Sequence, residues 1–138
     1  MNIPSEILSN GIERGTILHS DMFPMINHGK FFIIIGENKD YILGFFFINS
    51  NINAMLEKHQ ELMNLQYYLR CKDYSFLNYD SFVCATRIQK INKDKLIDSI
   101  EKHETKIIDN LKKEHLEELL KMVRNSDVFS EIEKREFF

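Results

Sequence analysis

Two dense apolar runs lie close together near the start of the chain. The first covers Phe31–Ile35 and the second covers Ile42–Ile48, and both consist mostly of aromatic and β-branched residues. Runs of this length and composition are typical of β-strands. The polar segment 37–40 between them predicts a tight hairpin. The chain is therefore constrained to a fold that contains antiparallel β-structure.

Polar side chains flank the predicted hairpin at one end. His28, Gly29 and Lys30 precede its first strand, and Ser50 follows its second strand. Because antiparallel pairing brings these ends together, we expect the Lys30 ammonium and the Ser50 hydroxyl to meet at one edge of the sheet. An ammonium beside a glycine can hold a phosphate, and a hydroxyl can donate a hydrogen bond to a developing charge on phosphorus. A solvated turn and ordinary loop chemistry are the alternatives for these residues.

The composition favours one packed domain over residues 1–138. The chain has 138 residues, 43% of them hydrophobic, with eleven Phe and no Trp. A net charge of -3 argues against a broadly basic nucleic-acid-binding surface and leaves room for a local positive pocket. Cys71 and Cys84 lack CxxC spacing and are expected to be reduced core thiols. The apolar runs are too short to cross a bilayer, so we expect a soluble, cytoplasmic protein without membrane association.

Hydrophobic patterning divides the chain into a β-rich first part and a helical second part. Strands are predicted at 15–20, 31–35, 42–48, 65–71 and 80–91, the last with a bend near Thr86–Arg87. Ser5–Leu8 and Ala54–Glu57 are weakly helical, and residues 106–111 form either a short strand or a linker. Strands followed by helices with short connections predict an α+β domain on a small, strongly bent antiparallel sheet.

Helical periodicity begins at residue 93. Residues 93–102 and 112–123 each carry an apolar stripe at core spacing, with Asn110 as a candidate N-cap for the second helix. The stripes consist of Leu96, Ile97 and Ile100 in the first helix and Leu116, Leu119, Leu120 and Val123 in the second. Ser130–Glu133 is a capping-box pattern, which predicts a last short helix that ends at Phe137–Phe138.

Three further residues are candidates for chemistry. Asp80 opens the last predicted strand, Arg87 lies in the same strand, and His19 lies in the first strand. An aspartate at a strand entrance usually caps a turn, and a strand histidine is often only half-buried, so both residues have a structural alternative. The other histidines show no metal-ligand spacing, and no Walker loop, HExxH or GxGxxG motif occurs. We therefore predict neither a metal ion nor a cofactor.

Taken in order, these segments resemble the MazF/PemK family of toxin–antitoxin endoribonucleases. The resemblance rests on residues 15–21, on His28–Lys30 before the first apolar run, on Ile48–Ser50 and on residues 80–96, and the helix near 111–123 fits the family's closing helix. The likeness covers roughly residues 11 to 124 and is one of pattern and order.

The resemblance implies a fold and an activity. The fold is an SH3-like β-barrel over about residues 11–92 with appended helices over about 93–138, usually in a homodimer. The activity is metal-independent cleavage of single-stranded RNA, in which a 2′-hydroxyl attacks the neighbouring phosphorus and a cyclic phosphate results. The implied protein partner is a neutralising antitoxin.

The same resemblance assigns roles to five residues. Lys30 takes the position of the family's arginine, and Ser50 takes that of its threonine or serine. Asp80 takes the position of an acidic residue used by some members, and His28 or His19 would supply acid–base function. Lys30 departs from the family pattern, because lysine contacts phosphate as a point charge and not with the planar, two-pronged geometry of arginine.

Substrate binding is expected to involve Arg87, beside Asp80, together with aromatic side chains. Phe23, Tyr67 and Tyr79 are candidate surfaces on which unstacked bases could lie, and core or dimer-interface positions are the alternative for them. The alternative function is a non-catalytic SH3-like barrel that binds a protein or nucleic-acid partner.

Overall fold

The fold is taken from a computed structural model that describes residues 11–24, 28–51 and 56–138. The predicted helical turn at Ser5–Leu8 lies outside these residues, as do Ala54 and Met55 of the predicted turn at 54–57.

Within the described residues, one sheet of seven strands is accompanied by helices. The strands are β1 (Thr16–Ser20), β2 (Lys30–Glu37), β3 (Ile42–Asn49), β4 (Gln66–Leu69), β5 (Ser81–Cys84), β6 (Gln89–Asn92) and β7 (Thr105–Asn110). The α-helices are α1 (Gln60–Met63), α2 (Lys93–Glu101), α3 (Lys113–Arg124) and α4 (Glu131–Phe137), and 3-10 turns occur at Leu56–Lys58 and Cys71–Asp73.

The predicted hairpin of β2 and β3 is the centre of the sheet. Phe31 lies opposite Ile48, and Phe32 lies opposite Phe47. The connecting turn is held by Asn38, whose Oδ1 accepts hydrogen bonds from the backbone N–H groups of residues 40 and 42. The prediction of a tight hairpin from the two apolar runs is therefore confirmed.

The strand order is β4-β5-β3-β2-β1-β7, and every neighbouring pair is antiparallel. On its side away from β2, β3 is shared by two partners, because β6 pairs with residues 42–45 and β5 pairs with residues 48–49. The single strand predicted over 80–91 is thus two strands. The predicted bend at Thr86–Arg87 lies in the turn that separates them.

The α+β class is confirmed, but the predicted barrel is not found in the part of the chain that the structure describes. There β4 and β7 end the strand order, and no pairing joins them. The described sheet is open, with helices packed on both of its faces. Covering by helices buries the sheet faces without closing the sheet on itself.

Each of the two faces of the sheet carries its own hydrophobic cluster. On the first face, Ile33 and Phe46 pack with Leu119 and Val123 of α3 and with Phe137 of α4. On the second face, the cluster is formed by Leu18, Phe32, Ile34, Phe45 and, from α2, Leu96 and Ile97. Successive residues of β2 therefore enter different cores, which explains why its apolar run does not alternate with polar residues.

The C-terminal helices have one predicted cap and one unexpected cap. Ser130 and Glu133 form the predicted capping box of α4. The prediction of Asn110 as N-cap of α3 is wrong, because Asn110 ends β7 and Lys112 takes the N-cap position without a side-chain hydrogen bond. Asn110 stays in the extended ladder with β1, where it lies opposite Thr16.

The last helix is anchored on the hairpin through two glycines and one arginine. A side chain on Gly36 would overlap the backbone of Phe137, and one on Gly44 would overlap its ring. Arg14 Nε donates to the Ile35 carbonyl at 2.7 Å, and its Nη2 donates to the Phe137 carbonyl at 3.2 Å. Phe137 therefore packs on this chain's own sheet.

Candidate nucleic-acid interface

The predicted site residues lie at the end of the hairpin where β2 begins and β3 ends, which we call the hairpin rim (Lys30, Asn49 and Ser50). His28, Lys30, Ser50 and Tyr79 line a cavity of about 220 Å³ there. We call it the rim cavity. Phe31, Ile48 and Phe76 are among its other lining residues. Four of the predicted site residues thus lie around one cavity.

The ammonium group of Lys30 lies on the second face of the sheet. Side chains alternate along a strand, and Phe31 belongs to the first face while Phe32 belongs to the second, so Lys30 shares the second face with Phe32. Lys30 Nζ donates a hydrogen bond to Asn49 Oδ1 and lies 5.8 Å from the ring centre of Phe47.

Lys30 and Ser50 share the rim and both line the rim cavity, but the hydrogen-bond partner of the Lys30 ammonium is Asn49. Ser50 is exposed and lines the rim cavity together with the first-face residues Phe31 and Ile48. The group that receives the Lys30 ammonium is the side-chain amide of Asn49, one residue earlier. Sequence reasoning missed Asn49, although the register of the hairpin would have placed it opposite Lys30.

The Lys30 ammonium is partly removed from water. Burial lowers the pKa of the Lys30 ammonium, and nearby Cys84 acts in the opposite direction. A partly dehydrated ammonium loses less hydration when it binds a phosphate than a fully solvated one does. Cys84 and Cys71 are half-buried free thiols, and Cys71 packs against the first-face core.

A row of second-face residues continues from Lys30 across four strands. Asn49 lies opposite Phe82, and Phe82 lies opposite Tyr68. The Tyr68 and Phe82 rings are 5.5 Å apart, and 46% of Tyr68 is exposed. Phe47 and Phe82 are half-buried. We call Phe47, Phe82 and Tyr68 the aromatic face.

Asp80 holds Tyr68 in place on the aromatic face. Its Oδ2 accepts a hydrogen bond from the Tyr68 hydroxyl at 2.6 Å, and its Oδ1 accepts one from the Cys71 backbone N–H at 2.9 Å. The bond from Tyr68, followed by the bond from Cys71, lowers the pKa of the Asp80 carboxyl. Asp80 is therefore a carboxylate whose two oxygens both have partners, and it fixes the orientation of the Tyr68 ring.

His19 and His28 lie beside Gly29, next to the rim. The His19 ring packs edge-on against Phe31 at 4.7 Å, which places it on the first face. A side chain on Gly29 would overlap the His19 ring and approach Asp21, so this position has no room for one. His28 is exposed, and its Nδ1 lies 3.2 Å from the Gly29 carbonyl oxygen.

The predicted substrate-binding residues are not gathered in one place. Arg87 is exposed in the turn between β5 and β6. The Phe23 ring packs with Phe32, Phe45 and Phe47 at 5.0 to 5.9 Å, and Phe23 also lines a cavity of about 400 Å³ beside α2. Phe23 is thus a packing residue of the second face.

The two tyrosines predicted to stack on bases differ in exposure. Tyr67 is half-buried and donates a hydrogen bond to Glu118 of α3, and burial followed by this bond raises the pKa of its hydroxyl. Tyr79 is 71% exposed and lines the rim cavity. Tyr79 is accordingly placed to contact a ligand at the rim, whereas Tyr67 joins β4 to α3.

Comparison with known proteins does not assign this chain to a family. A scan against protein-family models finds no family that matches this chain, and a search of curated proteins finds no match. In residues 11–24, 28–51 and 56–138, no cluster of three or more His, Cys, Asp or Glu side chains is arranged to hold a metal ion. None of the helices in that part of the chain has the length and apolar character needed to cross a membrane.

Proposed function

We propose that this protein is a MazF/PemK-like, metal-independent endoribonuclease that binds single-stranded RNA across the hairpin rim. The observation that carries the proposal is the Lys30 ammonium beside Asn49, in a cross-strand row that continues into Phe82 and Tyr68. A cation for the phosphate next to exposed aromatic rings for the bases is the combination that single-stranded RNA requires.

In this proposal the RNA backbone crosses the sheet edge at the rim. Lys30 reaches the scissile phosphate from the second face, and Ser50 and His28 reach it from the rim cavity on the first face. The RNA lies across the edge because these groups leave the strands on different sides. Bases on the second-face side stack on the aromatic face, and Tyr79 contacts the chain on the other side.

The chemistry is an internal displacement that needs no metal ion. The 2′-oxygen forms a bond to the adjacent phosphorus, the bond from phosphorus to the 5′-oxygen breaks, and a 2′,3′-cyclic phosphate and a 5′-hydroxyl result. Lys30 and Ser50 stabilise the charge that develops on the phosphoryl oxygens. His28, with His19 as the alternative, takes the proton from the 2′-hydroxyl or delivers one to the leaving oxygen. Asp80 orients Tyr68 on the second face.

The proposal also includes the expectations of the family resemblance. These are a relationship of the sheet to the SH3-like barrel, a homodimer, neutralisation by an antitoxin and a cytoplasmic location. The first of these is supported by the order of elements along the chain, in which the hairpin and strands β4 to β6 precede α2, α3 and α4; the other three rest on the family resemblance.

A second candidate function is single-stranded nucleic-acid binding without cleavage. It is favoured by two observations: the Lys30 ammonium contacts Asn49 and not Ser50, and both oxygens of Asp80 have partners within the protein. In that case Lys30 and the aromatic face bind the strand, and no group completes the proton transfers.

Cleavage of end-labelled single-stranded RNA in the presence of EDTA tests these functions. We expect products with 2′,3′-cyclic phosphate ends, and at least about a hundredfold lower rate for Lys30→Ala, because lysine charge stabilisation and acid–base groups each contribute factors of this order. Ser50→Ala and His28→Ala should also slow cleavage. Lys39→Ala, in the exposed turn at the other end of the hairpin, is the matched control and should cleave like the wild type.

The outcomes separate the two candidates. RNA binding without cleavage, weakened by Lys30→Ala, would support the second candidate. Cleavage at equal rates by the wild type and by Lys30→Ala, Ser50→Ala and His28→Ala would show that the site is wrong. Absence of both binding and cleavage would reject both functions.

A further inference from the structure

The connection between β4 and β5 is a compact loop over residues 70–80, which we call the wall loop. A hydrogen bond from the Cys71 backbone N–H to Asp80 Oδ1 joins its two ends at 2.9 Å. Four consecutive residues of the loop, Phe76–Tyr79, line the rim cavity, and the other lining residues come from the start of β5 and from the region of the hairpin rim. The position of the wall loop therefore sets the shape of one side of this cavity.

Aromatic side chains attach the wall loop to the first face of the sheet and to α3. The ring centre of Phe76 lies 5.0 Å from that of Phe31 in β2. Tyr74 is 2% exposed, its ring centre lies 5.8 Å from that of Phe76, and its hydroxyl oxygen accepts the Lys112 backbone N–H at 3.0 Å. Lys112 is the N-cap of α3 and makes no side-chain cap bond. Tyr74 thus supplies an acceptor to the start of α3 from a distant part of the chain.

The Tyr74 hydroxyl has a second partner on α3. It lies 2.6 Å from His115 Nδ1, and the two ring centres are 5.7 Å apart. Burial raises the pKa of the Tyr74 hydroxyl, so the group keeps its proton. Because its oxygen accepts the Lys112 N–H, we assign its proton to the bond with His115 Nδ1. One hydroxyl group therefore makes two hydrogen bonds to the beginning of α3.

The helix that receives these bonds is fixed in the core. Leu119 and Val123 of α3 are fully buried in the first-face cluster. Apolar packing is non-directional, whereas a hydrogen bond fixes both a distance and an angle. The two bonds of Tyr74 therefore determine where the exposed residues Asn78 and Tyr79 of the wall loop stand at the rim.

We propose that Tyr74 and His115 are positioning residues, which hold the wall loop where Tyr79 contacts single-stranded RNA. The identity of this ligand rests on the proposed function, and the inference applies to both candidate functions because each places the strand at the rim. Neither side chain lines the rim cavity, so both act through the loop. The groups assigned to the chemistry lie outside the loop. Loss of the Tyr74 hydroxyl should therefore weaken RNA binding and leave the chemical step nearly unchanged.

Fluorescence anisotropy with labelled 2′-O-methyl RNA tests this role, because such RNA lacks the attacking hydroxyl and is not cleaved. Tyr74→Phe keeps the ring and removes both hydrogen bonds, and we expect a dissociation constant about fivefold larger than that of the wild type. The rate of cleavage of unmodified RNA at saturation should stay within about twofold of the wild-type rate. A variant that is merely less stable would instead lose active protein, which lowers that rate and leaves the dissociation constant unchanged.

Two substitutions of His115 and one control separate the hydrogen bond from packing. His115→Leu removes the acceptor and should weaken RNA binding as Tyr74→Phe does. His115→Asn keeps an acceptor, Oδ1, at the position of Nδ1 and should bind RNA like the wild type. Tyr67→Phe removes a different hydroxyl bond to α3, the one from β4 to Glu118, and should also bind RNA like the wild type.

NMR spectra of the free protein report on the wall loop without RNA. The Leu77 backbone N–H donates to the Tyr74 carbonyl at 3.1 Å within the loop. In the two weakened variants we expect shifted amide signals of Asn78 and Tyr79 and faster hydrogen exchange at Leu77, and in the control we expect neither. Far-UV circular dichroism of each variant shows that it is folded.

Three results would overturn the inference. These are RNA binding by Tyr74→Phe as tight as by the wild type, binding by His115→Asn as weak as by His115→Leu, and unchanged wall-loop signals in Tyr74→Phe. Absence of RNA binding by the wild type would reject the proposed function, and the positioning role for RNA with it. The loop signals distinguish the two failures, because they are recorded without RNA.

Discussion

The two ends of the β2–β3 hairpin have different surroundings. At the turn end, Gly36 and Gly44 lie against Phe137 of α4. At the rim end, Lys30, Asn49 and Ser50 are half-buried or exposed. The same two strands thus supply a rigid support at one end and accessible polar groups at the other. A site whose strands are held by a packed core keeps its groups oriented without covering them.

The largest expected effect is at the turn end. Phe137→Ala removes a fully buried ring from the first-face core, and we expect the free energy of unfolding to fall by about 3–5 kcal/mol. Urea denaturation followed by circular dichroism measures this change. Ile132→Ala, on the exposed side of the same helix, is the control and should change it by less than about 0.5 kcal/mol. Equal effects would show that α4 is not anchored through Phe137.

A smaller effect is expected at Gly29, a crowded position next to the rim. Gly29→Ala introduces a methyl group that overlaps the His19 ring, and the ring must move, so we expect a loss of about 1 kcal/mol. The same denaturation experiment measures it, and loss of the His19–Phe31 contact would appear in NMR spectra of the imidazole protons. Gly11→Ala is the control, because a side chain there meets no group among the residues that the structure describes. A stabilised Gly29→Ala variant would contradict this packing.

The smallest expected effect concerns pH and the aromatic face. The hydrogen bond from Tyr68 gives Asp80 a lower pKa in the folded chain than in the unfolded chain, so its contribution to stability is present above the unfolded pKa. That contribution is lost as the pH falls through the lower, folded pKa. Asp80→Asn should therefore show a smaller loss of stability at acidic pH than the wild type does.

The urea midpoint, measured from neutral to strongly acidic pH, checks this expectation. Asp40→Asn, an exposed carboxylate in the hairpin turn, serves as the control. If Asp80→Asn and the wild type lost stability in parallel as the pH falls, the Asp80–Tyr68 bond would not be formed in solution.

Most of the secondary structure was predictable from local pattern. The two apolar runs predicted β2 and β3, the helical periodicity predicted α2 and α3, and Ser130 with Glu133 predicted α4. These signals are local, because strand composition, helical period and capping chemistry act over a few neighbouring residues. Asn110 was misassigned as an N-cap because a long-range partner, β1, keeps it in the sheet.

The burial of β2 on both faces had a signal in the sequence that the prediction did not use. The run Phe32–Ile35 contains no polar residue and is fully buried, because its side chains enter two different cores. A continuous apolar strand indicates burial on both faces, which helices on both sides provide. Strand composition by itself does not distinguish this arrangement from a barrel.

The end of the hairpin at which the candidate site lies was predictable from the sequence. The prediction that Lys30 and Ser50 come to the same end of the hairpin is consistent with the rim cavity that both residues line. Phe82 and Tyr68 were missed because their proximity to Lys30 depends on strands far apart in the chain, whereas Asn49 follows from the register of the predicted hairpin, which the prediction did not use. The side on which Lys30 leaves the strand follows from the assignment of its neighbours to the two cores.

The sequence alone determined the strands, the helices and the end of the hairpin at which polar groups collect, because these follow from interactions between residues close in the chain. Only the tertiary structure decided which face each polar side chain occupies and which residues from β4 and β5 lie beside it. Side chains of a strand alternate with a period of two, so a shift of one residue moves a group to the other face. That choice is made by packing against helices and strands distant in the chain.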